Sequence, residues 1–485
     1  MAHSRSLLEL AYVIQSRTHK IYDTLHDAGL PQLSFPQKHH EKVGLEAGQV
    51  PEALQGNRAH LLEAIEEMRA LILGPSSYLF YLAFLGPAQI AILRVVYKYR
   101  IAQHLPLNEP LSFEKLSQRC GLSEANTTKY VRAAITLRIF EESPPGIVRH
   151  NATSTELATT LLHDFVGFAM EDIGPSAHSV GEALEKYPDS EDPSQSAYSL
   201  AHGGNGERDI FSLIANDVGR VERLSKAMSF SMAIPEMSVQ HFIENVPWAS
   251  GGINTNGVVC PNVVVDVGGS RGTLCTALLR RYPGISKAIA VDLPEVVEQA
   301  GKETVDKFGG RLEFTAHSFF DEQVIRGADA YIFRCVFHDW ADPYVVRILR
   351  NQIPALKPGA RIIINERCLE PPDPSTLFKD QFASACNIYM QVCANAKERS
   401  REDWARVLTE ADERFEIISI VTPRHSALSL IEVLWNGTAT LAKERDESRT
   451  EFSRTNEGDL QKNDGCVPLG VEGPETAKED QDQVF

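Results

Sequence analysis

A histidine and two glutamates, His338, Glu366 and Glu398, have the types and placement in this 485-residue chain for acid–base work. His338 lies in Phe337-His338-Asp339-Trp340, a few residues after the apolar run Ala330-Arg334. Glu366 closes a second apolar run in Ile364-Asn365-Glu366-Arg367, and Glu398 lies in Ala396-Lys397-Glu398-Arg399. An imidazole titrates near neutrality. A carboxylate on its second nitrogen fixes the tautomer and stabilises the imidazolium, so these three residues supply a general base and its orienting groups. Asp339 reads as a capping residue rather than a catalyst.

A second constellation has the form of a ligand site. The β-branched run Val263-Val267, containing Asp266, meets Gly268-Gly269-Ser270-Arg271-Gly272, and Leu274 to Arg281 then follows a helical apolar period. This strand-turn-helix order places a binding loop at the carboxyl end of a parallel strand. Asp292, 26 residues beyond Asp266, ends a second short strand, Ala288-Val291, and precedes Leu293. An acid there faces a ribose diol. The glycine spacing excludes a dinucleotide fingerprint: from Gly268 the required places hold Gly, Ser270 and Thr273, and from Gly269 they hold Gly, Arg271 and Leu274.

These residues need a sheet to hold them. Strands are expected at Val263-Val267, Ala288-Val291, Leu312-Ala316, Ala330-Arg334 and Arg361-Asn365, with two more at Phe415-Val421 and Ser429-Leu434. Helical patterns between them imply an α/β fold with a mainly parallel sheet. Ahead of it, Leu7 to Leu25 and Asn57 to Leu73 read as amphipathic helices, and Tyr78 to Tyr99 is a strongly apolar segment divided at Gly86-Pro87. Such a segment is deep core or a subunit interface. Ser112 to Ile139 gives two short helices around Cys120-Gly121, and Glu141 to Asn151 a small β wing, the pattern of a winged helix. Between Phe165 and Trp248 the chain reads as helical, and Met228, Phe230 and Met232 form an apolar stripe that could roof a substrate pocket.

The glycine loop resembles the Asp-x-Gly-Gly-x-x-Gly loop of class I methyltransferases, which bind S-adenosylmethionine. With His-Asp-Trp and Lys-Glu-Arg-Ser added, the chain resembles the plant-type and fungal O-methyltransferases typified by caffeic acid O-methyltransferase, over roughly residues 86–441. The resemblance implies a Rossmann-like catalytic domain preceded by a helical, winged-helix dimerisation domain, and a homodimer. It makes His338 the catalytic base and Glu366 and Glu398 its flanking acids. It assigns cofactor contacts to Asp266, Gly268, Gly269, Gly272, Asp292, Leu293, Ser318, Phe319 and Arg334. Ser318 stands where plant members carry an adenine-contacting Asp. Met228, Asn387 and Met390 become acceptor-pocket residues, and the acceptor an aromatic hydroxyl of a polyketide-type secondary metabolite. Transfer to nitrogen, carbon or sulfur, and a catalytically silent partner protein, are the alternatives.

The implied organisation is N-terminal helices over 1–85, the winged-helix domain over 86–160, a helical linker and substrate roof over 161–250, the cofactor domain over 251–442 and a disordered tail over 443–485. The tail holds twelve acids against six bases. A net charge of −17 argues against a nucleic-acid partner. The eight cysteines form no Cys-x-x-Cys pair, so neither a metal site nor a disulfide framework is expected. No uninterrupted apolar run approaches a membrane span and no signal pattern opens the chain, which points to a cytoplasmic protein without membrane partners.

Overall fold

The computed structural model describes residues 5–33, 52–248, 259–303, 308–373 and 375–437. The expected acidic tail lies outside them. Seven strands make the principal sheet: β1 (Val263–Val267), β2 (Lys287–Asp292), β3 (Leu312–Ala316), β4 (Ala330–Arg334), β5 (Arg361–Glu366), β6 (Phe415–Val421) and β7 (Ser429–Trp435). Their order is β6-β7-β5-β4-β1-β2-β3. β1 runs parallel to β2 and β4, β2 to β3, and β4 to β5; β7 is antiparallel to both β5 and β6. The chain winds outward from β1 to β3, then returns to start again at β4 on β1's other side. That reversal opens a crevice at the carboxyl ends of β1 and β4, where open α/β sheets bind ligands.

The β-branched runs form this sheet because both of its faces are covered. Val265, Val267, Tyr331, Phe333, Ile362 and Ile364 pack on one face. Their chain neighbours Val264, Ala288, Ala290, Ile332 and Ile363 pack on the other. Alternation on two buried faces yields continuous apolar strands.

The N-terminal part is helical. α1 (Leu7–Asp27) packs against α2 (Glu52–Lys98), and the division expected at Gly86-Pro87 is not there. The helix runs through Pro87 and breaks instead at Gly74, whose φ of 70° and ψ of 164° leave the helical region just before Pro75. Glycine takes that conformation at little steric cost, and a following proline disfavours the helical one. The apolar segment is thereby joined into one helix. By length and composition Leu54–Lys98 could cross a membrane, and only 6% of its most apolar window is buried. Its C-terminal turns pack on protein: Ile92, Leu93, Val95 and Val96 join a core with Leu116, Val131 and Phe140. Two helices, Phe113–Cys120 and Glu124–Thr136, and a three-stranded antiparallel sheet complete this region.

Three further helices are α3 (Val218–Ala233), α4 (Thr273–Arg281), which follows the glycine loop, and α5 (Asp342–Gln352), which follows the His338 turn. A fourth, α6 (Leu377–Ala394), packs on that turn and on α2. The Glu63 carboxylate of α2 accepts the Phe378 N–H at 3.0 Å, satisfying an orphan donor at the start of α6. Buried Asp172 anchors α3. It accepts from Arg223 Nε at 2.9 Å and from the Tyr198 hydroxyl at 3.1 Å, and pairs with Arg220 at 3.3 Å.

Candidate active site

The glycine loop is built by contacts that the larger residues could not make. Gly268 and Gly269 both donate to the Val291 carbonyl, at 2.8 and 3.1 Å. A Cβ on Gly269 would lie 2.8 Å from the Asp266 carbonyl and 2.9 Å from its carboxylate. Gly268 and Gly272 have φ of +77° and +69°, and Gly272 is the N-cap of α4. Asp292 ties loop and strand together: Oδ2 accepts from the Ser270 N–H and Oδ1 from the Leu293 N–H, each at 2.8 Å. One lone pair on each oxygen remains for a ligand hydroxyl. Burial raises the Asp292 carboxyl, partly offset by those two amides. Full burial pushes Asp266 up to about 7, opposed by Arg334.

Beside Asp292, His317 donates its N–H to the Asp292 carbonyl at 2.8 Å, which sets Ser318 at the mouth of β3. Ser318 Oγ accepts the Phe320 N–H at 3.2 Å. Phe319 packs edge-on to Trp340, with ring centroids 6.1 Å apart, linking this loop to the His338 turn. Arg334 spends its guanidinium on the Asn365 side chain and the Met237 carbonyl, so it joins β4 to β5 and to the turn after α3.

His338 sits in a short turn at the carboxyl end of β4. Its Nδ1 lies 3.3 Å from Glu398 Oε1, and its Nε2 lies 3.8 Å from Asp339 Oδ1, beyond hydrogen-bonding distance. Burial opposes the imidazolium, but the facing Asp339, Glu398 and Glu366 carboxylates prevail and hold its pKa well above the ordinary histidine range. Glu366 plays another part. Its Oε1 accepts the backbone N–H of Val336, at 2.9 Å, and of Phe337, so it clamps the turn that carries His338 rather than the ring. Burial pushes Glu366 up to about 7 against the pull of His338.

The acceptor-side residues separate. Asn387 Oδ1 accepts the Glu398 N–H at 3.0 Å and so orients the carboxylate that pairs with His338. Met390 packs against a core of Ile173, Tyr198, Leu213 and Cys393. Met228, on α3, is 38% exposed. A cavity of about 450 Å³ opens beside Asn387, Gln391, Asn395 and Asp342.

Arg399 was not singled out by the sequence reading, where it is one cation in a Lys-Glu-Arg cluster. It is fully buried and donates to Asp342 Oδ1 at 2.9 Å, the Phe337 carbonyl at 2.9 Å and the Trp340 carbonyl at 2.7 Å. It therefore holds the His338 turn alongside Glu366. No spacing signal marks such a clamp, because its partners lie some 60 residues away. Among the described residues no group of three or more His, Cys, Asp or Glu side chains is placed to hold a metal ion.

A sheet of this order with a glycine loop, an acid on the next strand and a carboxylate-paired histidine defines a methyltransferase-type site. An O-methyltransferase domain matches residues 193–413. O-methyltransferase pyvH of Aspergillus violaceofuscus (strain CBS 115571) is 33% identical over 447 residues, covering 90% of this chain and all of that protein. The grayanic acid biosynthesis cluster O-methyltransferase of Cladonia grayi is 32% identical, over 97% of this chain and 95% of its own length. A chlorophenol O-methyltransferase of Trichoderma longibrachiatum is 30% identical, over 90% and 91%. The chain belongs to this family of fungal O-methyltransferases. Solved structures agree in fold: OxaC at a TM-score of 0.66 and 19% identity, covering 88% of this chain and 100% of OxaC, and a LepI complex with SAM at 0.65 and 19%, covering 88% and 99%.

Proposed function

We propose that this S-adenosylmethionine-dependent O-methyltransferase methylates a phenolic hydroxyl of an aromatic secondary metabolite, with His338 as general base. The observation that carries this reading is the 3.3 Å contact from His338 Nδ1 to buried Glu398, which leaves Nε2 as the nitrogen able to accept a proton. The glycine loop, Asp292, Leu293, Ser318 and Phe319 are the residues that would hold the cofactor; the lone pairs left on Asp292 suit a ribose diol. When bound, S-adenosylmethionine supplies an activated methyl group. The chain's own residues have to align the acceptor oxygen and take its proton.

A phenol has a pKa of about 10 and an ordinary histidine about 6.5, so prior deprotonation is uphill. The carboxylates that raise His338 narrow that gap. Nε2 takes the proton as the oxygen–carbon bond forms, while Glu398 stabilises the imidazolium and Glu366 and Arg399 keep the turn fixed. The chlorophenol-methylating relative supports a phenolic acceptor.

The working unit in this reading is a homodimer in the cytoplasm. Leu79, Phe80, Leu82 and Phe84 of α2 are each more than half exposed, an apolar stretch that suits a second copy. Arg94 of the same helix pairs with Glu171 at 2.9 Å, which suits a protein environment over a lipid one. The winged-helix reading of residues 112–151 serves as scaffold: Arg132, on its second helix, pairs with Glu142 at 2.8 Å and so is spent within the protein rather than on nucleic acid.

The test is calorimetric titration with S-adenosylmethionine and its demethylated product, followed by a phenol and aniline acceptor panel with product analysis. Cofactor binding together with methyl transfer to phenols supports the reading. Cofactor binding with transfer only to amines would sink the phenol assignment.

A further inference from the structure

Arg367 follows Glu366 directly and turns into the same cluster as His338. Its Nε lies 3.8 Å from Glu398 Oε1, the oxygen already engaged by His338 at 3.3 Å. The side chain is only 13% exposed, and its Nε is buried without a hydrogen-bond partner. Its Nη2 donates to Cys386 Sγ at 3.8 Å, a weak acceptor. Burial raises the Cys386 thiol, so it stays neutral and does not balance the charge. A guanidinium carries five N–H donors, and a buried cation with so few acceptors is expensive unless a partner arrives.

The surroundings specify that partner. The guanidinium carbon lies 5.3 Å from the centre of the Phe382 ring, which holds the planar group by a cation–π contact and is itself 54% exposed. A fixed guanidinium plane matches a carboxylate bidentately, where an ammonium would act as a point charge. Arg367 Nε and His338 Nδ1 flank one Glu398 oxygen, at 3.8 and 3.3 Å, so the guanidinium and the imidazole border the same site.

We propose that Arg367 is a specificity-determining residue that pairs with a carboxylate on the acceptor ring, so that the enzyme selects aromatic hydroxy acids over neutral phenols. This rests on the phenolic-acceptor reading above. The acid's ring lies over Phe382, its carboxylate on Arg367 and its hydroxyl at His338 Nε2.

The test measures binding separately from turnover. The full-length enzyme, saturated with S-adenosylhomocysteine, is titrated with para-hydroxybenzoate, meta-hydroxybenzoate and their methyl esters. The wild type should bind at least one acid about tenfold or more tightly than its ester. Arg367→Met should bring that ratio close to one and Arg367→Lys should restore it only in part, with S-adenosylhomocysteine affinity reporting that the variants are folded. Equal binding of acid and ester by the wild type, or binding of neither, overturns the proposal without the variants and assigns Arg367 to Glu398 alone. A ratio that survives in Arg367→Met also overturns it. Turnover of the neutral ester with no preference for the acid would leave the phenol reading standing and remove only this one.

Discussion

His338 Nδ1 and Glu398 Oε1 lie 3.3 Å apart across a sequence separation of 60 residues, joining the turn after β4 to the segment after α6. This pairing gives the imidazole a defined tautomer, with Nδ1 donating to the carboxylate and Nε2 left as the accepting nitrogen. A third element fixes the carboxylate, because Asn387 holds the Glu398 backbone at 3.0 Å.

His338→Ala should lower kcat by about 10²–10⁴, the usual contribution of a positioned base, while affinity for S-adenosylhomocysteine stays near the wild-type value. Single-turnover kinetics with calorimetry checks both. Glu398→Gln should do less harm, since an amide oxygen still accepts the Nδ1 proton but stabilises the imidazolium poorly. Undiminished turnover by His338→Ala would remove the residue from the mechanism.

The pH profile should reflect the raised imidazole. A base must be neutral to act, and a pKa held above the ordinary value keeps His338 protonated to higher pH. The rate should therefore rise with pH through and beyond neutrality. Asp339→Asn removes a carboxylate 3.8 Å from Nε2, lowers that pKa and moves the rising limb toward acid. A limb that stays in place, or moves toward alkali, contradicts this account of the site.

Gly269→Ala should damage cofactor binding with little change in acceptor recognition. The new Cβ would meet the backbone oxygen of Asp266 at 2.8 Å, an atom fixed in the sheet, so the loop must shift. Loss of about tenfold or more in S-adenosylmethionine affinity is expected, read by calorimetry. Wild-type affinity would show that the loop has slack.

Arg399→Met should destabilise the fold and slow the reaction together. It strips the buried Phe337 carbonyl and the half-buried Trp340 carbonyl of their donor, and the loss at a buried carbonyl costs about 1–3 kcal/mol. Thermal unfolding should fall by several degrees and kcat should fall with it, because the His338 turn loses one of its two clamps. A stable variant with wild-type kcat would reduce Arg399 to packing.

Leu82→Glu with Phe84→Glu should convert a dimer into a monomer, measured by light scattering, because both residues are exposed in the apolar stretch of α2. A wild-type protein that is already monomeric would refute the homodimer reading.

Much of the catalytic fold was legible in the sequence, because its strands are β-branched runs long enough to be buried on both faces and are bounded by turn residues. All seven expected strands are present, within a residue at each end. The glycine loop and Asp292 could also be read, since adjacent strands and a short connection place them together by local order alone. Three things were decided only by tertiary structure. Packing set the division of labour between two acids of equal chemistry: Glu398 reached the ring, while Glu366 was left facing the backbone amides of the turn. Glycine's positive φ at Gly74, rather than either proline by itself, fixed where the N-terminal helix breaks. The burial of Arg399 and Arg367 followed from helices and strands distant in sequence closing over them. A charged residue in a polar stretch carries no local sign that it will be enclosed, because desolvation depends on what the rest of the chain brings to it.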